Sequence, residues 1–129
     1  MANTVTFEYD RPSKILFVED NWDIRTKQDV DDFFAEYARK IAAIGEKFWM
    51  VAHIDNLVIH AEVAEYYGEV ARKATTDLLL GLVRWGDDSI ARMTLRTTAM
   101  KAKMAHAIYS NREEAVAAIE KMKAEQNKK

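Results

Sequence analysis

The chain has 129 residues, a formal net charge of −2 and no cysteine. This length predicts one domain with its own hydrophobic core, and the apolar share of 49% and charged share of 31% are typical of globular proteins. The small negative charge predicts no general attraction to nucleic acid, and the lack of cysteine excludes disulfides, thiolate metal sites and cysteine nucleophiles. No leader-like segment opens the sequence and no apolar run reaches about 20 residues, so we expect a cytoplasmic protein without a membrane span.

Two strands are predicted at the start of the chain, at residues 4–9 and 14–19. Both are rich in β-branched and aromatic residues, and the short turn between them holds the single proline. Such a short connection predicts an antiparallel hairpin. Residues 20–23 are predicted to be a polar connection with an exposed Trp22, and this tryptophan beside an edge hairpin favours a homodimer.

A long helix is predicted at about residues 27–44. Thr26 suits the N-cap position, and Gly45 is placed to end the helix in a left-handed conformation. Spacings of three and four put one set of apolar residues on a buried stripe: Val30, Phe33, Phe34, Tyr37, Ile41 and Ile44.

The next strand, at about residues 48–54, carries the main functional prediction. Its apolar run suits a central parallel strand, and the run breaks at His53 before a helical pattern begins at Ala61. Open α/β sheets bind ligands and partners at the carboxyl ends of such strands. We therefore expect a loop at residues 53–62 to form a partner-binding surface, with the candidates His53, Asp55, Asn56, His60 and Glu62.

The second half of the chain alternates helices and strands. Helices are predicted at residues 61–74, 89–103 and 111–124, and strands in the second half of 78–85 and at 105–109. Ser110 and Glu113 match the S-x-x-E capping box that begins a helix. The element order β-β-α-β-α-β-α-β-α predicts an α/β fold with a five-stranded mixed sheet, parallel except at the N-terminal hairpin, and four helices. Residues 1–125 would form this single domain, followed by a polar tail at 126–129.

The helix predicted at residues 89–103, the third of the chain, offers a second candidate site. Ile90, Met93, Thr97, Met100 and Met104 fall on one predicted buried stripe. Basic residues lie beside it, so an apolar or anionic small molecule could bind between the sheet and this helix, and the candidate ligand residues are Arg92, Met93, Arg96 and Met100. A solvated basic face and ordinary core packing explain the same residues more simply.

Enzymatic and cofactor chemistry has little support in the sequence. The three histidines, His53, His60 and His106, lack the spacing of a zinc site, and no serine or cysteine nucleophile adjoins them. With glycine only at positions 45, 68, 81 and 86, neither common glycine-rich nucleotide motif is present. We expect no catalytic residue, no metal and no cofactor.

The hairpin, the aspartate-rich helix, the stretch FWMVAHIDNLVI and the terminal AHAIYS strand with its NREEAVAAIEKM helix resemble the SpoIIAA-like, or STAS-like, proteins. The resemblance covers nearly the whole chain in element order. It implies the sheet fold of the anti-sigma factor antagonists, which is similar to that of CRAL-TRIO lipid-binding domains. It also implies a kinase partner and a phosphorylated Ser or Thr in the loop after the third strand. Residues 53–63 hold neither residue type, and Glu62 would mimic the modified state.

Two hypotheses of different classes follow. The leading one is a non-enzymatic regulatory or protein-interaction domain that uses residues 53–62 and the adjoining helix as its partner surface. The alternative is a small-molecule or lipid carrier or sensor that binds its ligand between the sheet and the third helix.

Overall fold

The computed structural model describes residues 3–103 and 107–127, in which five strands and four α-helices alternate. Their bounds are β1 (Thr4–Asp10), β2 (Ile15–Ile24), α1 (Lys27–Ile41), β3 (Phe48–Ile59), α2 (Ala64–Leu78), β4 (Leu79–Trp85), α3 (Ser89–Lys101), β5 (Ile108–Tyr109) and α4 (Arg112–Asn127). Met104, Ala105 and His106 lie outside the described residues, so the predicted strand at 105–109 is seen only as Ile108–Tyr109.

The strands form one sheet in the order β1-β2-β3-β4-β5. β1 and β2 are antiparallel, and every other neighbouring pair is parallel, which confirms the predicted α/β topology. Helices α1, α2 and α3 pack on one face and bury the larger core, whereas α4 covers part of the opposite face through Ala115 and Ile119. No helix within the described residues is both long and apolar enough to cross a membrane.

The prediction of a loop at residues 53–62 is wrong, because β3 continues to Ile59. The pairing of β3 with β2 steps from His53 opposite Glu19 to Asn56 opposite Asn21, so three residues of β3 match two of β2. This is a β-bulge, and it places Asp55 and Asn56 side by side between buried apolar residues. Two consecutive polar residues break the alternation by which a strand is recognised in a sequence.

β2 is likewise longer than predicted. The supposed polar connection at 20–23 is its second half, paired with the second half of β3. Trp22 is 9% exposed and its ring packs edge-on against Phe33 with centroids 5.5 Å apart. The exposed tryptophan that favoured a homodimer is therefore a core residue.

Helix α1 begins as predicted and ends earlier. The Thr26 side chain accepts from the Asp29 backbone N–H, and the Asp29 carboxylate accepts from the Thr26 N–H, which makes a complete capping box. The helix ends at Ile41 rather than Ile44, and Gly45 follows with a φ of 74°. The left-handed glycine therefore shapes the turn into β3, four residues beyond the helix end.

Two other helices also differ from their predicted bounds. A 3-10 turn at Ala61–Val63 precedes α2, which continues to Leu78. The cap of α4 is Asn111, whose side chain accepts from the Glu114 N–H, one position later than the predicted capping box of Ser110 and Glu113. Because α4 continues to Asn127, it extends into the predicted tail.

Helix α3 presents a different face to the sheet from the one predicted. Its buried residues are Ala91, Leu95, Thr98 and Ala99. Ile90, Met93 and Met100 are exposed, with 57–69% of their surface accessible. The predicted stripe followed the largest apolar side chains. The real one follows small residues, because α3 packs closely against α2, where a Cβ on Gly68 would lie 2.8 Å from the Cβ of Ala102.

This orientation can be tested with two truncations on one helix. Leu95→Ala removes a side chain that is 3% exposed, so the free energy of unfolding should fall by about 2–5 kcal/mol. Met93→Ala, at 63% exposure, should change it by less than about 0.5 kcal/mol. Urea denaturation measures both variants, and a larger loss for Met93→Ala would contradict the packing of α3.

Candidate functional site

The predicted partner-binding residues His53 and Asp55 lie within β3, next to the bulge. The imidazole of His53 stacks on Trp85 with ring centroids 3.9 Å apart, and its Nε2 lies 2.9 Å from Asp55 Oδ2. Asp55 Oδ1 accepts from the backbone N–H groups of Asp87 and Asp88, at 2.7 and 2.9 Å. A Cβ on Gly86 would lie 2.5 Å from the same oxygen, so this turn requires glycine. Asp55 therefore holds the turn that begins α3.

The charge state of Asp55 follows from the same contacts. Burial by itself raises the pKa of this carboxyl, but the hydrogen bonds from the Asp88 N–H, from His53 and from the Asp87 N–H outweigh it and lower the pKa. Asp55 is thus held ionised as a structural acceptor. Within residues 3–103 and 107–127, no three His, Asp or Glu side chains are grouped so that they could hold a metal ion.

The remaining predicted partner residues lie along β3 and just beyond it. Asn56 Nδ2 donates to Asn21 Oδ1 over 3.0 Å, and His60 Nε2 lies 2.7 Å from Asp23 Oδ1. Glu62 is exposed in the 3-10 turn before α2. The structure therefore brings His53 together with Asp55 and leaves Asn56, His60 and Glu62 spread along the strand end. Their role in partner binding stays a prediction.

The residues predicted to bind a ligand lie on α3. Arg92 donates to the carbonyl oxygens of Ile108 and Gly86, at 3.0 and 3.4 Å, and so joins α3 to β5. Arg96, Met93 and Met100 are exposed. None of these four side chains lines the apolar cavity of the molecule, which lies under α1 and α2.

That cavity has a volume of about 180 Å³, lies between α1, α2 and the sheet, and is partly open to solvent. Most of its lining is aliphatic or aromatic, with contributions from all three elements: Phe34, Ile41, Met50, Val70, Leu79 and Leu82. Apolar walls with a few polar groups are typical of small-molecule sites. The polar groups here are the side chains of Tyr37, Tyr67, Thr75 and Arg84.

Arg84 lines this cavity, and Asp20 lies next to its lining. Both are buried, at 6% and 4% exposure, on the sheet face that α1 and α2 cover. The Tyr37 hydroxyl donates to Asp20 Oδ1. The Asp20 carboxylate and the Arg84 guanidinium are close enough for each to influence the charge of the other. We call Asp20, Tyr37, Tyr67 and Arg84 the buried polar cluster.

Burial dominates the proton equilibria of this cluster. It raises the pKa of Asp20 to about 7, although the hydrogen bond from Tyr37 and the charges of Arg84 and His53 oppose the rise. It raises the pKa of Tyr37 and of Tyr67, and both phenols stay neutral. It also lowers the pKa of Arg84, an effect that the neighbouring Tyr67, Asp20 and Tyr37 oppose. Asp20 is therefore the member of the cluster that changes charge near neutral pH.

A second depression adjoins the cavity at its Arg84 end. It has a volume of about 270 Å³ and shares Thr75, Leu82 and Arg84 with the cavity lining. Arg72 and Lys103 also line it, so this end carries three cationic side chains. The depression at the other end is bordered by Glu46, Lys47 and Asp77 and has no such excess of positive charge.

Sequence reasoning missed the buried polar cluster. Asp20 lay in a segment interpreted as a connection. One usable signal was present: Trp22 and Ile24 alternate with polar residues, which puts Asp20 on their side of a strand, and Arg84 follows a run of apolar strand residues. A charged residue at an inward strand position indicates a buried functional or structural pair.

Asp20 should make the stability of the fold depend on pH. Its pKa is about 7 in the folded protein and about 3.8 in the unfolded chain, so its contribution to stability is complete below pH 4 and is lost as pH rises to 7. Between pH 5 and pH 8 the loss should be about 3 kcal/mol at most. Carboxyls with lowered pKa values, such as Asp55 and Asp29, are already ionised throughout this range.

The matched variant is Asp20→Asn, which keeps an oxygen that can accept from Tyr37 and removes the titration. Urea denaturation at several pH values should show the unfolding free energy of the native protein falling relative to that of Asp20→Asn between pH 5 and pH 8. Parallel curves for the two proteins would show that Asp20 does not titrate in this range.

Comparisons of this chain with family models, with curated proteins and with solved structures find no match. The resemblance to STAS-like proteins therefore stays a prediction, and the function has to be inferred from the geometry of the site.

Proposed function

We propose that this protein is a non-enzymatic carrier or sensor of a small apolar molecule, which it binds between the sheet and helices α1 and α2. The observation that carries this proposal is the cavity of about 180 Å³, lined mainly by apolar side chains and also by Tyr37, Tyr67 and Arg84 of the buried polar cluster. The sequence predicted a ligand site between the sheet and α3, whereas this cavity lies between the sheet and helices α1 and α2.

Access to the cavity supports a functional role. Its lining includes Leu78, which is 42% exposed, so the apolar space is open to solvent on one side. A ligand that covers these apolar side chains removes their surface from water, which favours binding.

The volume also limits the ligand. An engineered apolar cavity of about 150 Å³ binds benzene, whereas sites for drug-sized ligands measure about 300–1,000 Å³. The cavity therefore suits a single ring or a short acyl chain of roughly 6–10 non-hydrogen atoms. With about 0.6 kcal/mol per atom, such a ligand would bind with a Kd between roughly 2 mM and roughly 0.04 mM.

The polar groups around the cavity favour binding over catalysis. The two lining tyrosines have raised pKa values, so they are hydrogen-bond donors rather than nucleophiles at neutral pH. Arg84 is a fixed donor, and Asp20 accepts a hydrogen bond from Tyr37. Such groups orient a ligand, and nothing in their arrangement pairs a nucleophile with a base.

Filling the cavity from α2 tests the proposal. Ala71 lines the cavity and is 8% exposed, so Ala71→Leu should place its new side chain in the ligand space. We expect binding of 2-phenylethanol, followed by backbone NMR shifts, to weaken at least tenfold. The melting temperature should stay the same or rise, because the void is filled.

Ala35→Leu on the exposed side of α1 is the matched control and should bind the probe as the native protein does. Equal binding by native protein and Ala71→Leu would place the ligand elsewhere. Native mass spectrometry of gently purified protein gives an independent test, because a retained ligand adds a stoichiometric mass of metabolite size.

A regulatory protein-interaction domain is a second candidate function. One observation favours it: Val58 is 44% exposed near the end of β3, between the polar pairs of Asn56 with Asn21 and of His60 with Asp23. Interaction surfaces combine apolar side chains with a polar rim, and Val58 with its two flanking polar pairs would form one part of such a surface. A cytoplasmic location and a homodimer stay predictions alongside it.

The partner surface is tested by replacing Asn56 and Glu62 together with alanine. Both side chains are exposed, so the melting temperature should change little. Capture of a protein partner should fall severalfold relative to the native chain. Unchanged capture of the same partner by the double variant would contradict the assignment of these residues to a partner-binding surface.

A further inference from the structure

The two charged residues of the buried polar cluster lie on either side of β3. Ala52 of β3 pairs with Arg84 of β4 on one side and with Val18 of β2 on the other, and Asp20 follows two residues after Val18 on the same face. Backbones two strands apart are separated by roughly 10 Å, a gap that a long arginine side chain can cross. The residue between them, Ala52, has a small side chain and is buried in the same core.

The charge around the cavity is unequal at its two ends. Arg84 and Thr75 line the cavity, and the adjoining depression adds Arg72 and Lys103. The opposite depression combines Glu46 and Asp77 with Lys47. A ligand with an apolar body and an anionic end is therefore complementary to the site in one orientation, with the anion toward Arg84.

We propose, on the basis of the function proposed above, that the ligand is a small organic carboxylate whose ring or short chain fills the cavity and whose carboxylate contacts Arg84, and that Asp20 takes up one proton from solvent when this ligand binds. No covalent bond forms or breaks in the process, and the transferred species is one proton from water to the Asp20 carboxylate.

The proton uptake follows from the number of buried charges. Above pH 7 and without ligand, the Asp20 carboxylate and the Arg84 guanidinium compensate each other. A ligand carboxylate adds a second buried anion beside one cation, which is unfavourable in a medium of low dielectric constant. Protonation of Asp20 restores neutrality. Because the pKa of this residue is raised to about 7, its protonation costs little free energy near neutral pH.

The groups that face Asp20 are consistent with this assignment. They are Tyr37 from α1, Tyr67 from α2, His53 from β3 and Arg84 from β4. The two phenols are neutral, because burial raises their pKa values. His53 is a further ionisable group near Asp20, so the test isolates Asp20 by substitution.

Matched pairs of probes separate the carboxylate from the apolar body. Phenylacetate is compared with phenylacetamide, and hexanoate with hexanamide, because each pair differs mainly in charge. At pH 6 each carboxylate should bind more tightly than its amide by at least tenfold. Arg84→Met should remove this preference while leaving amide binding in place, and a melting curve shows whether this variant folds.

The pH dependence tests the proton. Above pH 7 the Kd of the carboxylates should rise about tenfold per pH unit, whereas that of the amides should stay constant. Calorimetry at pH 8 in two buffers of different ionisation enthalpy should show uptake of close to one proton per carboxylate bound. In Asp20→Asn the uptake should disappear, and binding of phenylacetate at pH 8 should be about tenfold tighter than in the native protein.

The outcomes are distinguishable. If neither carboxylates nor amides bind, both the inference and the proposed cavity function are wrong. If the amides bind and the carboxylates do not, the cavity function survives and the carboxylate assignment is overturned. If the carboxylates bind without proton uptake, or with the same pH dependence in Asp20→Asn, Asp20 has no part in binding. Asp20→Asn settles the proton coupling even if Arg84→Met does not fold.

Discussion

The parallel pairing of β2 with β3 is the interaction on which the remaining structure depends. It runs from Ile15 opposite Trp49 to Ile24 opposite Ile59, with a bulge in the middle. The pairing brings Asp20 onto the covered face of the sheet and carries Trp22 and Ile24 into the core. It also fixes the position along β3 from which Asp55 accepts the two backbone hydrogen bonds of the turn before α3. A shorter pairing would remove Asp20 from the buried polar cluster.

The topology could be predicted from the sequence because it follows from features that act locally. Thr26 and Asp29 mark the start of α1, and the apolar run from Phe48 marks a central strand. The site could not be predicted, because it depends on a bulge and on side chains that face one another across three strands. The polar pair Asp55 and Asn56 ended the recognisable pattern, although Leu57 and Ile59 continue the strand beyond them. Pairing with β2, which is distant in sequence, determines their extended conformation, and the local sequence does not.

The orientation of α3 shows a second limit of sequence patterns. Large apolar residues at helical spacing predicted the buried face, yet Ile90, Met93 and Met100 face outward. Close packing between two helices selects small residues, and a small residue gives little signal in a hydrophobicity pattern. The cavity could not be predicted from the sequence pattern for a related reason, because a cavity is formed by the arrangement of several helices and not by any one segment.

Gly68 of α2 has a mechanical consequence for the cavity wall. A Cβ at this position would overlap Ala102, just beyond the end of α3, so the two helices are in contact at backbone distance. Any displacement of α2 outward from the sheet has to carry α3 with it, whereas α1 contacts α2 through deformable aromatic rings, such as Phe34 against Tyr67. The cavity wall formed by α2 is therefore stiff, whereas the wall formed by α1 is deformable. A larger ligand should gain room by tilting α1.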